Sequence, residues 1–115
     1  MHRKFRLTRS DDFKRVRRNG KSYAHPLVVL TAQPNEHAEL HIGFAAGRAL
    51  GNAVKRNRAR RMLREAMRRL LPSLASGWDM VLIARPKLAS ASLEEIRAAL
   101  VDLLQRAGIF PVNES

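Results

Sequence analysis

GNAVKRNRARRMLREAMRRL, residues 51–70, is the stretch on which the fold turns. Ala59, Met62, Leu63, Ala66, Met67 and Leu70 recur at three- and four-residue spacing, which places them on one stripe of a helix. Asn52 suits the N-cap and Pro72 lies just beyond the last of them, so the spacing predicts a helix over 52–71. Around the remaining surface crowd Lys55, Arg56, Arg58, Arg60, Arg61, Arg64, Arg68 and Arg69, with Glu65 as the sole acid. Like charges at i,i+4 spacing repel. The helix therefore needs a core for its apolar stripe and an anion from outside for the rest.

The flanking segments supply the core. WDMVLIA, residues 78–84, follows Gly77 as an apolar run suited to a buried sheet position. On the other side AELHIGFAA, residues 38–46, reads as a strand. SYAHPLVVLTAQ, residues 22–33, has the β-branched and aromatic content of strand, with Pro26 marking an edge or a bend. Gln33-Pro34-Asn35-Glu36 reads as the turn between these two, and strands joined so briefly are expected to pair antiparallel. Residues 47–51 read as a loop.

Toward the N-terminus, Ser10 suits the N-cap of a helix near 10–18, with Asp11 and Asp12 at its positive end, Phe13 and Val16 on one face, and Gly20 at the C′ position. At the other end Ser92 and Glu95 form a capping box, and Leu93, Ile96, Leu100, Leu103 and Leu104 give an apolar face up to Gly108. The order α-β-β-β-α-β-α argues for one domain of the α+β class, a single sheet with helices packed on it. Residues 1–9 are expected to be a flexible basic arm, and 109–115 a tail.

Composition narrows the function. In 115 residues, 22 Lys+Arg against 10 Asp+Glu give a net charge of +12, a field that attracts polyanions, nucleic acid before acidic membrane. Without cysteine there is no disulfide framework and no thiolate metal site. No stretch approaches the ~18 apolar residues of a membrane span, and a soluble, cytoplasmic protein is expected.

On the basic helix, Asn57, Arg60, Arg61, Arg64 and Arg68 fall on one face, a quarter turn or more from the apolar stripe. Arginine predominates, and its planar fork can donate two hydrogen bonds to a phosphate while its flat face stacks on bases. A solvated face normally mixes signs, and this one barely does. A membrane-surface helix would carry Trp or Phe on its apolar side, and this side has neither. A helix-turn-helix reader needs a second helix where a strand follows here. RNA or DNA backbone is the natural ligand.

Other signals are weaker. His37, Glu39 and His41 alternate along a strand, compatible with an acid/base or metal site but more simply a polar strand face. No acidic cluster suited to two-metal phosphodiester cleavage is present, so the chain does not read as catalytic by itself. Phe13, with Tyr23 and Arg17 nearby, offers either a stacking surface for unpaired bases or core packing. Trp78 at a strand start reads as packing.

At GNAVKRNRARRMLREAM the sequence resembles the bacterial ribonuclease P protein subunit, whose hallmark is an Arg-Asn-Arg helix, here Arg56-Asn57-Arg58. SDDFKRVRRNG is similar to that family's first helix, IGFAAGRALGNAV to its strand and loop before the basic helix, and WDMVLIARP to its last strand. The resemblance implies an α/β sandwich with one mixed sheet, in which the basic helix makes a left-handed crossover between parallel strands. It implies a ribonucleoprotein in which the RNA subunit performs a magnesium-dependent hydrolysis that removes the 5′ leader of precursor tRNA, the magnesium held mainly by the RNA. One protein per catalytic RNA is expected, with no DNA or membrane partner. Arg48, Lys55, Arg56, Asn57, Arg58, Arg60, Arg61, Arg64 and Arg68 are the implied contacts to the catalytic RNA. Phe13, Arg17, Tyr23 and Thr31 are the expected leader-binding cleft.

The chain departs from the family pattern at three places. Arg48-Ala49 stands where two lysines are common, with Gly47 at a position that is often Ser. Arg17 occupies the place of a second cleft aromatic, and Thr31 that of a strand Tyr, so leader binding is expected to lean on charge more than on stacking. Two further readings remain open: a non-catalytic RNA-binding or ribosome-associated module, and a stand-alone nuclease.

Overall fold

A computed structural model describes residues 10–36 and 38–110; the expected basic arm at 1–9, His37, and most of the expected tail, 111–115, lie outside the described residues. The elements are α1 (Ser10–Asn19), β1 (Lys21–Ala24), β2 (Val28–Pro34), β3 (Leu40–Ala46), α2 (Ala53–Arg68), β4 (Trp78–Ala84) and α3 (Leu93–Arg106), in the order α-β-β-β-α-β-α. Short 3-10 turns cover Arg48–Leu50, Leu71–Ser73 and Pro86–Ser90. The expected loop at 47–51 is thus partly ordered, and the expected 52–71 helix ends at Arg68, with Leu70 carried into the core by the turn that follows.

Pro26 divides the first strand segment in two. It sits in a tight turn in which His25 N donates to the Val28 carbonyl at 3.0 Å and Leu27 N donates to His25 Nδ1 at 3.1 Å, so its missing N–H costs no ladder bond. β1 and β2 form an antiparallel hairpin around it.

One expected pairing is corrected. The strand order is β1-β2-β4-β3, so β2 and β3 are not neighbours across the Gln33–Glu36 turn; β4 lies between them, antiparallel to β2 and parallel to β3. The physical reason is apolar content. Met80, Val81 and Leu82 are fully buried, so β4 hides both faces and takes the interior, while β3 keeps an outer edge. Gly77 fixes the insertion, donating to the Glu39 carbonyl and accepting from Asn35 N, both at 2.8 Å. The connection between the parallel pair runs through α2.

The two sheet faces are covered differently. Leu30, Ile42, Met80 and Leu82 pack with Leu63 and Met67 of α2 and with Ile96, Leu100, Leu103 and Leu104 of α3 in one continuous core. Each such fully buried aliphatic side chain contributes roughly 1.5–3 kcal/mol. The capping box of α3 is formed, with Glu95 N donating to Ser92 Oγ and Ser92 N to the Glu95 carboxylate.

On the opposite face, where Thr31, Val81 and Gly43 stand side by side across three strands, α1 is the one helix laid down among the described residues. Val16 is its buried anchor. Gly20 lets it come close, because a Cβ there would lie 2.5 Å from the Val16 carbonyl oxygen and 2.9 Å from Thr31 Cγ2. Space, rather than a left-handed backbone, makes that position a glycine.

Candidate nucleic-acid interface

The interface begins with how α2 is held. Asn52 accepts from Lys55 N at 3.0 Å and starts the helix, while Ala59, Leu63, Ala66 and Met67 are buried. That fixes its roll and leaves two basic flanks and an outer face. On the flank along the β3 edge, Arg56 Nε donates to the Ala46 carbonyl at 3.2 Å, and the Arg64 guanidinium lies 5.8 Å from the centre of the Phe44 ring. The strand edge is thus lined with guanidinium groups.

On the outer face Asn57 accepts from Arg60, and Arg68 pairs with Glu65 at 2.6 Å, which uses up the helix's sole acid. Arg58 and Arg61 are exposed, as are Lys55, Arg69 and, on the turn before the helix, Arg48; among the described residues none of these five side chains enters an ion pair. Val54, 76% exposed, is an apolar point near the start of the same helix.

The candidate cleft lies between α1 and the sheet. Phe13 is half-buried, its ring laid directly on the β3 backbone at Gly43, where a Cβ would come within 2.5 Å of Cζ. Arg17, one helical turn further along, is exposed. Thr31 is buried beneath the end of α1 and hydrogen-bonded to Ser22 at 2.9 Å, so it forms floor rather than open surface.

Tyr23 is not brought to this cleft. It pairs with Leu30 and therefore points to the opposite sheet face, where Lys21 and Arg106 lie over its ring at 5.6 and 6.0 Å. Phe13 thus lies on β3, whose edge carries Arg56 and Arg64, with Arg17 exposed one turn along α1, and Tyr23 is left on the other face. Trp78 is half-buried and packs on the core.

The residues that seat α1 escaped sequence reasoning. Asp79, 7% exposed at its side chain, accepts from Arg15 Nη2 at 2.8 Å, from Asn35 Nδ2 at 2.9 Å and from His41 Nδ1 at 2.9 Å. Arg15 also donates to Gln33 at 2.7 Å, and His41 Nε2 meets Glu39 at 2.9 Å. Burial alone would push the Asp79 carboxyl up, but hydrogen bonds from His41, Asn35 and Arg15 outweigh it and hold it below the usual range. Burial likewise works against the His41 imidazolium, and its bonds to Asp79 and Glu39 prevail, raising its pKa. The hydrogen bond to Asp79 raises that of Arg15. Glu39 and His41 do share a face as their alternation suggested, in the service of this network. The available signal was a lone acid in the apolar run 78–84 and a glycine inside a strand, Gly43.

A mixed sheet carrying a helix dense in arginine, with Glu65 as that helix's sole acid, defines a cationic α+β protein whose charge suits a polyanion. Comparison with known proteins makes this particular. The ribonuclease P family profile matches residues 1–108. The ribonuclease P protein component of Roseiflexus castenholzii is 44% identical over 110 residues, covering 95% of this chain and 90% of the relative. That of Bacillus cereus is 37% identical over 110 residues, 95% and 96% of the two chains. The solved structure of the RNase P protein of Staphylococcus aureus superposes with a TM-score of 0.82 at 28% identity over 93% of this chain and 98% of its own. That of Thermotoga maritima gives 0.79 at 30% identity over 88% and 96%. The chain belongs to the ribonuclease P protein family.

Proposed function

We propose that the chain is the protein subunit of a ribonuclease P ribonucleoprotein, that it binds the catalytic RNA through α2, and that it guides the 5′ leader of precursor tRNA along the cleft under α1. The observation that carries this reading is the basic surface of α2, with Asn57, Arg60, Arg61 and Arg68 outward, Arg56 and Arg64 on the flank along β3, Lys55 and Arg58 on the other flank and Arg48 on the turn before it; Glu65 is the helix's sole acid and is already bonded to Arg68. Phosphates that displace counterions there relieve the repulsion within the helix. Phe13 offers a half-exposed ring for an unpaired base and Arg17 a cation one turn away, which suits single-stranded leader.

Chemistry in such an assembly belongs to the RNA and its magnesium ions. The α2 surface is cationic and lacks carboxylates free to take a metal, so this chain's share is to gather phosphate, position the leader and lend positive charge near the reacting backbone. It is an endoribonuclease component rather than a nuclease, and the expected site of action is the cytoplasm. No helix among the described residues is long and apolar enough to cross a membrane.

The test is single-turnover cleavage of a 5′-extended precursor tRNA by a bacterial ribonuclease P RNA at low magnesium, with and without the protein, beside a protein-only control. Cleavage at the mature 5′ end that requires the RNA and rises with protein supports the reading. Tight RNA binding without stimulation would favour a plain RNA-binding module, and cleavage by RNA-free protein a nuclease.

A further inference from the structure

At the carboxyl ends of the parallel strands β3 and β4, the start of α2 faces the 3-10 turn Pro86–Ser90 across a half-enclosed cavity of about 190 Å³. Its apolar wall is Leu50, Ala59, Met62 and Leu88, and Lys55 and Arg58 stand at its mouth. Leu50, Ala59 and Leu88 are buried, while Met62, which has a flexible thioether, is half-buried and lines the cavity. The cavity lies on the flank of α2 away from the β3 edge, because Lys55, Arg58, Ala59 and Met62 follow one another at i, i+3, i+4 and i+7.

The lining selects its occupant. A bare anion would use the two cations and leave the apolar wall wet; an apolar side chain would fill the wall and leave the cations idle. A nucleobase carried on a phosphodiester backbone uses both, its ring against Met62 and Leu88 and its flanking phosphates on Lys55 and Arg58. The volume is below the roughly 300–1,000 Å³ of pockets for whole ligands, which suits one ring system. Gly51 holds one phosphate arm in place: at φ 118° it has no side chain, and the Lys55 stem lies across it, with Cδ 2.8 Å from where a Cβ would stand.

We propose that this cavity receives one unstacked nucleobase of the RNA that lies along α2, a recognition subsite that rests on the ribonuclease P reading and adds a base contact to its phosphate contacts. Its wall is aliphatic, so it accepts any base and favours purines for their larger face.

The full chain carrying methyl-¹³C methionine provides the assay, since the Met62 methyl lines the cavity while Met67 and Met80 are fully buried and report an intact fold. The probes are penta-adenylate and the corresponding abasic ribose-phosphate pentamer. Penta-adenylate is expected to shift the Met62 methyl upfield by ring current and to bind about tenfold more tightly than the abasic chain. Ala89→Leu, at the exposed rim, is expected to erase that tenfold difference and leave abasic binding unchanged; Ala91→Leu repeats the test from the other side of the rim. The Ala89 variant should also lose roughly five- to tenfold in affinity for the ribonuclease P RNA at an unchanged salt slope. An equal Met62 response to both pentamers, or penta-adenylate binding that leaves Met62 unmoved, would overturn the base receptor while the proposed function stands. Failure to bind the catalytic RNA at all would remove both.

Discussion

Replacing Asp79 by Asn tests whether one buried carboxylate fastens α1, and with it Phe13 and Arg17, to the sheet. Asp79 accepts at 2.8 Å from Arg15 and at 2.9 Å from both Asn35 and His41. Charge-assisted hydrogen bonds contribute roughly 1.5–3 kcal/mol when sheltered, but Arg15 keeps 39% exposure and His41 22%, which brings each contact here toward ~1 kcal/mol. An amide at 79 keeps one acceptor and turns a donor toward cationic neighbours, so about two contacts are lost, ~2 kcal/mol. With ~2.1 cal/mol/K of unfolding entropy per residue over 115 residues, that lowers Tm by about 8 °C.

The pH dependence has a defined sign. His41 is raised above 6.5 in the fold, so its contribution is fully present below about pH 6.5 and lost as pH climbs through the folded value. Asp79 is held below 3.8, so its contribution is present above about pH 3.8 and lost as pH falls through the folded value. The gap between wild type and variant is therefore widest between about pH 4 and pH 6.5, shrinks in acid, and narrows again as pH rises through the folded His41 value, where the Arg15 and Asn35 contacts remain. Thermal unfolding followed by circular dichroism at about pH 3, 5 and 8 measures it. A gap under ~0.5 kcal/mol at pH 5, or one that does not change with pH, would refute the reasoning.

Gly43→Ala places a methyl carbon within 2.5 Å of the Phe13 ring, and the overpacking is expected to cost ~1–3 kcal/mol and to weaken leader binding; an unchanged Tm would show that the ring has room to move. Arg17→Ala should weaken affinity for long-leader precursor tRNA more than for leaderless tRNA, and equal losses in a filter-binding titration would dissociate Arg17 from the leader. Asn57 accepts from Arg60, so Asn57→Asp should both capture that guanidinium and repel phosphate, harming RNA assembly more than Asn57→Ala; the reverse order would indicate a packing role. If ~5 phosphate contacts form, log affinity for the catalytic RNA should fall against log salt with a slope of roughly −4 to −5, and a near-flat plot would remove the electrostatic basis of the interface.

The elements most legible in the sequence are those whose signal is local. The apolar stripe of α2 and the Ser92–Glu95 box are written at helical spacing and stand where that spacing put them. The position of β4 between β2 and β3 was not legible, because pairing depends on which strand can bury both faces, a comparison among distant segments. Tyr23 went astray for a related reason: proximity in sequence to Phe13 says nothing about which sheet face a side chain takes, and the break at Pro26 decides that. Asp79 was hidden by its apolar context, since its partners Arg15, Asn35 and His41 come from three other places in the chain.

That interior place of β4 also bears on synthesis. When the chain has been made as far as α2, the hairpin of β1 and β2 can close, yet β2 and β3 still lack the neighbour they share, and the apolar stripe of α2 has no finished surface to rest on. Only after Trp78–Ala84 has left the ribosome can the sheet knit together, through contacts far apart in the chain, which makes folding late and comparatively slow. For that interval the polycationic segment is a free chain in a cell full of RNA, and mutual repulsion among its arginines, together with early capture by an anionic partner, would keep the unpaired strands from meeting those of another nascent copy.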